Sequence, residues 1–157
     1  MYKRQLLVVR FEETPQRQRW HFDVNDKAAA DEMRQGVVAA LRRHGVPAAD
    51  VSVAELLVSE LIGNVVRHVG GVVEVAIDVL GSAAVLHVLD RGPGFHFSTR
   101  LPKNLMSESG RGLYIVAALA RDFSIVPRRD GGSHARVTLP FAVPSLPAEE
   151  PATRTRR

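Results

Sequence analysis

Three polar side chains recur at helical spacing in the segment from Glu55 to His68: Glu60, Asn64 and His68, at i, i+4 and i+8. On a helix that spacing sets them in one stripe along an otherwise apolar surface. A carboxylate and an amide oxygen one turn apart suit a hard cation or its bound waters, together with a substrate hydroxyl. Taken alone, the stripe reads first as the solvated face of an amphipathic helix. Gly63 shifts the balance, because glycine inside a helix costs about 1 kcal/mol against alanine and asks for a reason such as the close approach of another group.

Three further segments carry the same kind of signal. In Asp90-Arg91-Gly92-Pro93-Gly94, Asp90 shares strand parity with Leu86 and Val88, which predicts a carboxylate at a strand end turned inward. Such a carboxylate can accept a hydrogen bond from an adenine amino group, with Gly92 and Gly94 permitting a sharp turn and close backbone approach. Ser109-Gly110-Arg111-Gly112-Leu113 precedes a helical stretch, and glycines at a helix start leave backbone N–H groups pointing at a phosphate. Gly131-Gly132-Ser133 leads into a strand that stops at Pro140. Singly, these are a turn, a loop exit and a hairpin.

The elements that must position these residues follow from pattern. Leu6 to Phe11 and Arg19 to Val24 read as strands. A helix capped by Asn25 or Asp26 carries Ala30, Met33, Val37 and Leu41 on one face and stops at Gly45. A second helix opens at about Pro47, runs to His68 and ends at Gly70-Gly71. Val73, Val75, Ile77 and Val79 alternate with polar residues, Gly81-Ser82 turns the chain, and Val85 to Asp90 returns. Residues 91–110 form a long loop, Arg111 to Ala120 a third helix, and Phe123 to Val126 with Ala135 to Leu139 a last strand pair. This order predicts an α+β chain: a two-layer α/β sandwich with a mixed, mostly antiparallel sheet and helices on one face. The domain is expected over residues 1–140, with a disordered, proline-rich tail over 141–157.

Composition narrows the classes. A length of 157 residues suits one domain with a real core. The absence of cysteine excludes disulfides, thiolate metal sites and cysteine nucleophiles, and it suits the cytoplasm. The longest apolar candidate, Val72 to Leu89, is broken by Glu74, Asp78 and His87, so no membrane span is expected. The basic N-terminus has too short an apolar run for a signal peptide. A net charge of +4 favours anionic partners, but the arginines are dispersed and no basic-aromatic interleaving marks a direct nucleic-acid interface. The only lysines are Lys3, Lys27 and Lys103, so there is no Gly-x-x-x-x-Gly-Lys phosphate loop, and the six histidines lack zinc-ligand spacing.

Together and in this order, the four segments resemble the GHKL ATPase superfamily, with its N-box, two glycine boxes and closing Gly-Gly-Thr segment, over about residues 19–140. The stretch Ser59-Glu60-Leu61-Ile62-Gly63-Asn64-Val65-Val66-Arg67-His68 is particularly similar to that of stand-alone anti-sigma-factor serine/threonine kinases. The resemblance implies the GHKL (Bergerat) ATP-binding fold, with ATP and Mg²⁺ as cofactors. It makes Glu60 the general base and Asn64 the Mg²⁺ ligand. Asp90 becomes the adenine-reading aspartate, with Gly92 and Gly94 shaping its pocket, and Gly110 and Gly112 around Arg111 the phosphate-contacting segment. Ser133 takes the place of the usual threonine, Arg67 and His68 lie where phosphate contact is possible, and residues 95–109 match the ATP lid. Gly63 replaces a larger residue, and Arg100 and Lys103 are the only basic residues of a short lid. The partners implied are a STAS-type antagonist that accepts the phosphoryl group, a sigma factor, and a second copy in a homodimer. The alternative is an ATP-dependent binding switch that transfers nothing.

Overall fold

The computed structural model describes residues 16–92 and 111–144. The expected strand Leu6 to Phe11, the lid at 95–109, and Gly94 and Gly110 lie outside the described residues. The elements are β1 (Gln16–Asp23), α1 (Lys27–Arg43), α2 (Ala48–His68), β2 (Val72–Leu80), β3 (Ala83–Leu89), α3 (Arg111–Leu119), β4 (Asp122–Pro127) and β5 (Ser133–Thr138). The five strands form one sheet in the order β1-β2-β3-β5-β4, and every pairing is antiparallel. The α+β sandwich expected from the element order is therefore the architecture found.

Local chemistry explains the boundaries. The Asp26 carboxylate accepts the Ala29 N–H at 3.0 Å and caps α1, while Arg42 and Arg43 face the negative end of its dipole. Pro47 stands just before α2, where its missing N–H costs nothing. In β2, period-two alternation puts Val73, Val75, Ile77 and Val79 on the inner face, opposite Val88, Leu86 and Ala84 of β3. Against that face α2 buries Val51, Ala54, Leu57, Val58, Leu61, Ile62 and Val65. Complete burial of one such leucine or valine stabilises by about 1.5–3 kcal/mol, so α2 is fixed far more firmly by packing than by its caps.

The folded part continues beyond the expected end at residue 140. Phe141 and Val143 are buried in the core, and the Val143 N–H donates to the Ser82 carbonyl at 2.8 Å. Their apolar side chains follow the strand parity of Leu139, which the neighbouring prolines obscured. Residues 145–157 lie outside the described residues.

The sheet's outer face is a cross-strand charge ladder. Arg17 pairs with Asp78 at 3.1 Å, and Arg19 and His21 with Glu74 at 3.7 and 3.5 Å. His87 lies between Asp78 (3.2 Å) and His134 (2.9 Å), its ring stacked on the latter. Burial pushes both imidazoles below their ordinary pKa. The Asp78 carboxylate opposes this at His87, while Arg128 and Arg136 reinforce it at His134.

Candidate functional site

Asp90 follows the last residue of β3 with its side chain turned inward and only 2% exposed. Its Oδ1 accepts two backbone N–H groups, from Gly92 at 2.8 Å and from Ser133 at 3.2 Å, and its own N–H donates to the Ser133 carbonyl at 3.0 Å. A charge-assisted hydrogen bond contributes about 1.5–3 kcal/mol, so this carboxylate is held in one orientation by the framework of β3 and β5.

The turn between β4 and β5 closes over the same point. Gly132 has φ +85°, and a Cβ there would stand 2.7 Å from the Arg91 Cα and collide with the Asp90 carbonyl. Only glycine satisfies both the dihedral and the contact. Arg128 ties the turn down, donating to the Asp90 carbonyl at 3.3 Å and to both carboxylate oxygens of Asp130. No sequence signal singled out Arg128, because its partner lies 38 residues away. Val69, immediately after α2, packs against Gly92 and so joins the end of that helix to the Asp90 turn.

Along α2, Asn64 is buried, Glu60 is half-buried, and His68 is exposed. The Glu60 carboxylate lies against Gly112 at the start of α3, where any Cβ would strike Oε2. Gly112 is thus required by the approach of an acidic side chain to a helix N-terminus, a place where negative charge is favoured. The expected stripe of Glu60, Asn64 and His68 is corrected in its last member. Arg67, not His68, shares a groove with Glu60, and this groove of about 380 Å³ is completed by Arg111, Gly112 and Ile115. Seven residues are two helical turns to within about 20°, whereas eight overshoot by about 80°. Gly63 is also explained differently from expectation. A Cβ at that position would make only ordinary contact, 3.5 Å from Arg67 Nη2, so no close approach demands the glycine.

The structure therefore gathers the predicted residues into two groups on adjoining elements. Asp90, Gly92 and Ser133 form one, and Glu60, Arg67, Arg111 and Gly112 the other. Asn64 lies on α2 between Glu60 and the Val69 contact. A larger hollow of about 650 Å³ beside α1, lined by Asp31, Arg34, Arg42 and Glu55 among others, contains none of these residues.

Ser133 tests what the first group can hold. It is 1% exposed, and its Oγ has no hydrogen-bond partner among the described residues. An orphaned buried hydroxyl costs about 1–3 kcal/mol, which a ligand atom or bridging water recovers. A fixed carboxylate, an unsatisfied hydroxyl and a turn that crowds the backbone fit the polar edge of a planar base. The family model for the histidine kinase-like ATPase domain matches residues 24–139, well over half of the chain, and the chain belongs to that family. It is an ATP-binding domain of the GHKL type. A search of curated proteins finds no match. Among the described residues no helix is long and apolar enough to cross a membrane.

Proposed function

We propose that this protein is an ATP-dependent serine/threonine kinase of the anti-sigma-factor type, which phosphorylates an antagonist protein and thereby regulates a sigma factor. The observation that carries the reading is the seating of Glu60, a carboxylate laid against Gly112 at the start of α3, one turn before buried Asn64. A base at that point can take the proton of an incoming hydroxyl. As it does, the new O–P bond forms at the γ-phosphorus, the bond to the β,γ-bridging oxygen breaks, and ADP leaves with the electron pair. Positioning and charge stabilisation carry most of phosphoryl transfer, so a site this sparse suffices.

Asp90 and Ser133 would read adenine, and the amides at Gly112 would face phosphate. Asn64 would hold Mg²⁺. No group of three or more acidic, histidine or cysteine side chains among the described residues could hold a metal ion. A cation bound through Asn64 then needs water and nucleotide phosphates as its remaining ligands, the usual habit of Mg²⁺. The STAS-type antagonist, the sigma factor and a homodimeric state come from the resemblance of the α2 segment.

Single-turnover transfer from labelled ATP to a STAS-type antagonist protein tests the reading, with nucleotide affinity measured by calorimetry on the same preparation. Binding should weaken when EDTA removes Mg²⁺. Glu60→Ala should bind ATP within a few-fold of wild type yet transfer about 10²–10⁴-fold more slowly. Transfer by the variant at the wild-type rate would sink the base assignment. A wild-type protein that transfers nothing, but holds a sigma factor only when ATP is present, is a binding switch.

A further inference from the structure

Behind the Asp90 turn, on the outer face of the sheet, side chains from three strands form a hydrogen-bonded row. The buried His87 of β3 places Nε2 3.2 Å from Oδ2 of Asp78 on β2, and Nδ1 2.9 Å from Nε2 of His134 on β5. An ionised carboxylate only accepts, so His87 Nε2 carries a hydrogen. A neutral imidazole has a single N–H, so His87 Nδ1 accepts and His134 Nε2 donates. The nitrogen left to take a further proton is Nδ1 of the half-buried His134. Every neighbouring strand bears on that event. Arg128, just after β4, Arg136 on β5 and Arg17 on β1 oppose a positive charge at His134, while Glu74 on β2 favours it and itself pairs with Arg19 and His21 of β1. At His87, Asp78 favours the charge and His134, Arg17 and Arg136 oppose it. Burial adds to the repulsion, so both rings titrate below the ordinary histidine range and the row is neutral near pH 7.

Arg128 connects this row to the nucleotide end. Its guanidinium shares an outer-face hollow of about 260 Å³ with Glu74, Leu89 and Arg91, and from there donates to the Asp90 carbonyl at 3.3 Å and to the Asp130 carboxylate. His134 also follows Ser133, whose N–H donates to Asp90 Oδ1 and whose carbonyl accepts the Asp90 N–H. An imidazolium at His134 therefore repels the guanidinium that ties down the turn, on the strand pair that seats Asp90. We infer that the Asp78–His87–His134 row is a proton-operated control on the nucleotide site: proton uptake at His134 loosens the Arg128 tie and the Asp90–Ser133 hydrogen bonds, so adenine nucleotides bind the neutral row and are released in acid. The inference rests on the adenine-reading role given to Asp90. Its sign follows from linkage. A ligand that prefers the unprotonated protein binds fully above the folded pKa of the row and loses affinity as pH falls through it; reciprocally, its binding expels the proton.

The test measures ADP affinity with Mg²⁺ by calorimetry on the full chain between about pH 8 and about pH 5, at a temperature where melting shows each protein folded. His134→Gln keeps a side-chain N–H for His87 but cannot titrate, so its profile carries the ligand's own titration alone. Relative to that profile, wild type should lose about fivefold or more in affinity toward the acid end. Arg128→Gln should bind ADP more weakly throughout and follow the flatter His134→Gln slope. On wild type, the His134 ring resonance, assigned by NMR through its backbone, should titrate at lower pH when ADP is bound; this readout decides alone if a variant fails to fold. Equal slopes in wild type and His134→Gln, or a His134 titration that ADP does not move, overturns the inference. If Asp90→Asn still weakens ADP in that case, the adenine reading stands without it. No ADP binding at any pH overturns the adenine reading and the inference together.

Discussion

At the end of β3, Asp90 is 2% exposed and takes its hydrogen bonds from backbone N–H groups; on α2, Glu60 and Arg67 reach their positions on long side chains, one half-buried and the other exposed. The first region is framework: strand register, a glycine turn and Arg128 set every atom of it. The second is built from side chains that two packed helices present at their surface. A region built from backbone is already ordered when its ligand arrives, so it is suited to reading one planar group with little adjustment. A region built from exposed side chains can change charge without unfolding anything, which suits a surface that must match a partner. Altering the two regions should therefore give different kinds of failure.

The largest effect is expected at the framework end. Asp90→Asn preserves size and can still accept the Gly92 and Ser133 N–H groups, but it loses the charge and can turn its own N–H toward the ligand. ATP and ADP should both bind about ten- to a hundredfold more weakly, equivalent to about 1.5–3 kcal/mol, with much smaller change in thermal stability. Calorimetry and melting on the same protein check this. Wild-type affinity in a variant that melts like wild type would make Asp90 a turn residue, and the contrast between the two regions would collapse.

Much of this contrast was legible in the sequence, and unevenly so. Asp90 announced its inward direction through parity with Leu86 and Val88, and β2, β3 and α2 followed from apolar periods of two and 3.6. Register made the rest hard to see. Arg128 reaches Asp90, and His87 meets His134 across 47 residues, only because β5 inserts between β3 and β4. Phe141 and Val143 were hidden because Pro140 and Pro144 bracket them and give a core-bound strand exit the composition of a tail. Arg67 and His68 were named together, and only the helical angle separates them: four-residue steps drift around a helix of 3.6 residues per turn and carry His68 away from the groove that Arg67 shares with Glu60.

A smaller effect should appear on the outer face behind the framework end. His87 and His134 join β3 to β5 beside the Asp90–Ser133 hydrogen bonds. Both are pushed below the ordinary value of 6.5, chiefly by burial. Asp78 and Glu74 pull the other way, while Arg17, Arg136 and Arg128 add to the depression. A histidine with a depressed folded pKa is neutral in the fold and binds its proton more readily when unfolded. Its contribution is complete above the unfolded value and is lost as pH falls through the folded one. Thermal stability should therefore drop as pH is lowered below about 6.5, and a His87→Gln/His134→Gln protein should show a flatter profile over the same interval. An unchanged slope in the double variant would remove the pair from the balance.

The smallest effect separates the two regions most cleanly, because it touches the helix that serves both. Gly63 lies inside α2, and a Cβ there would meet nothing closer than Arg67 Nη2 at 3.5 Å and Cζ at 4.0 Å. Gly63→Ala should stabilise the protein by about 0.5–1 kcal/mol, since alanine loses less conformational entropy in a helix and no backbone contact opposes it. For a domain of this size that raises the melting temperature by roughly 2–4 °C. Nucleotide affinity should be unchanged, because Asp90 and Ser133 take their positions from the sheet. The rate of phosphoryl transfer is the informative quantity. If it too is unchanged, Arg67 keeps its seat over the new methyl group and the groove is independent of helix stiffness. If it falls while the melting temperature rises, the glycine is there to let the guanidinium lie flat, and a stability cost inside α2 has been retained for the sake of the exposed region.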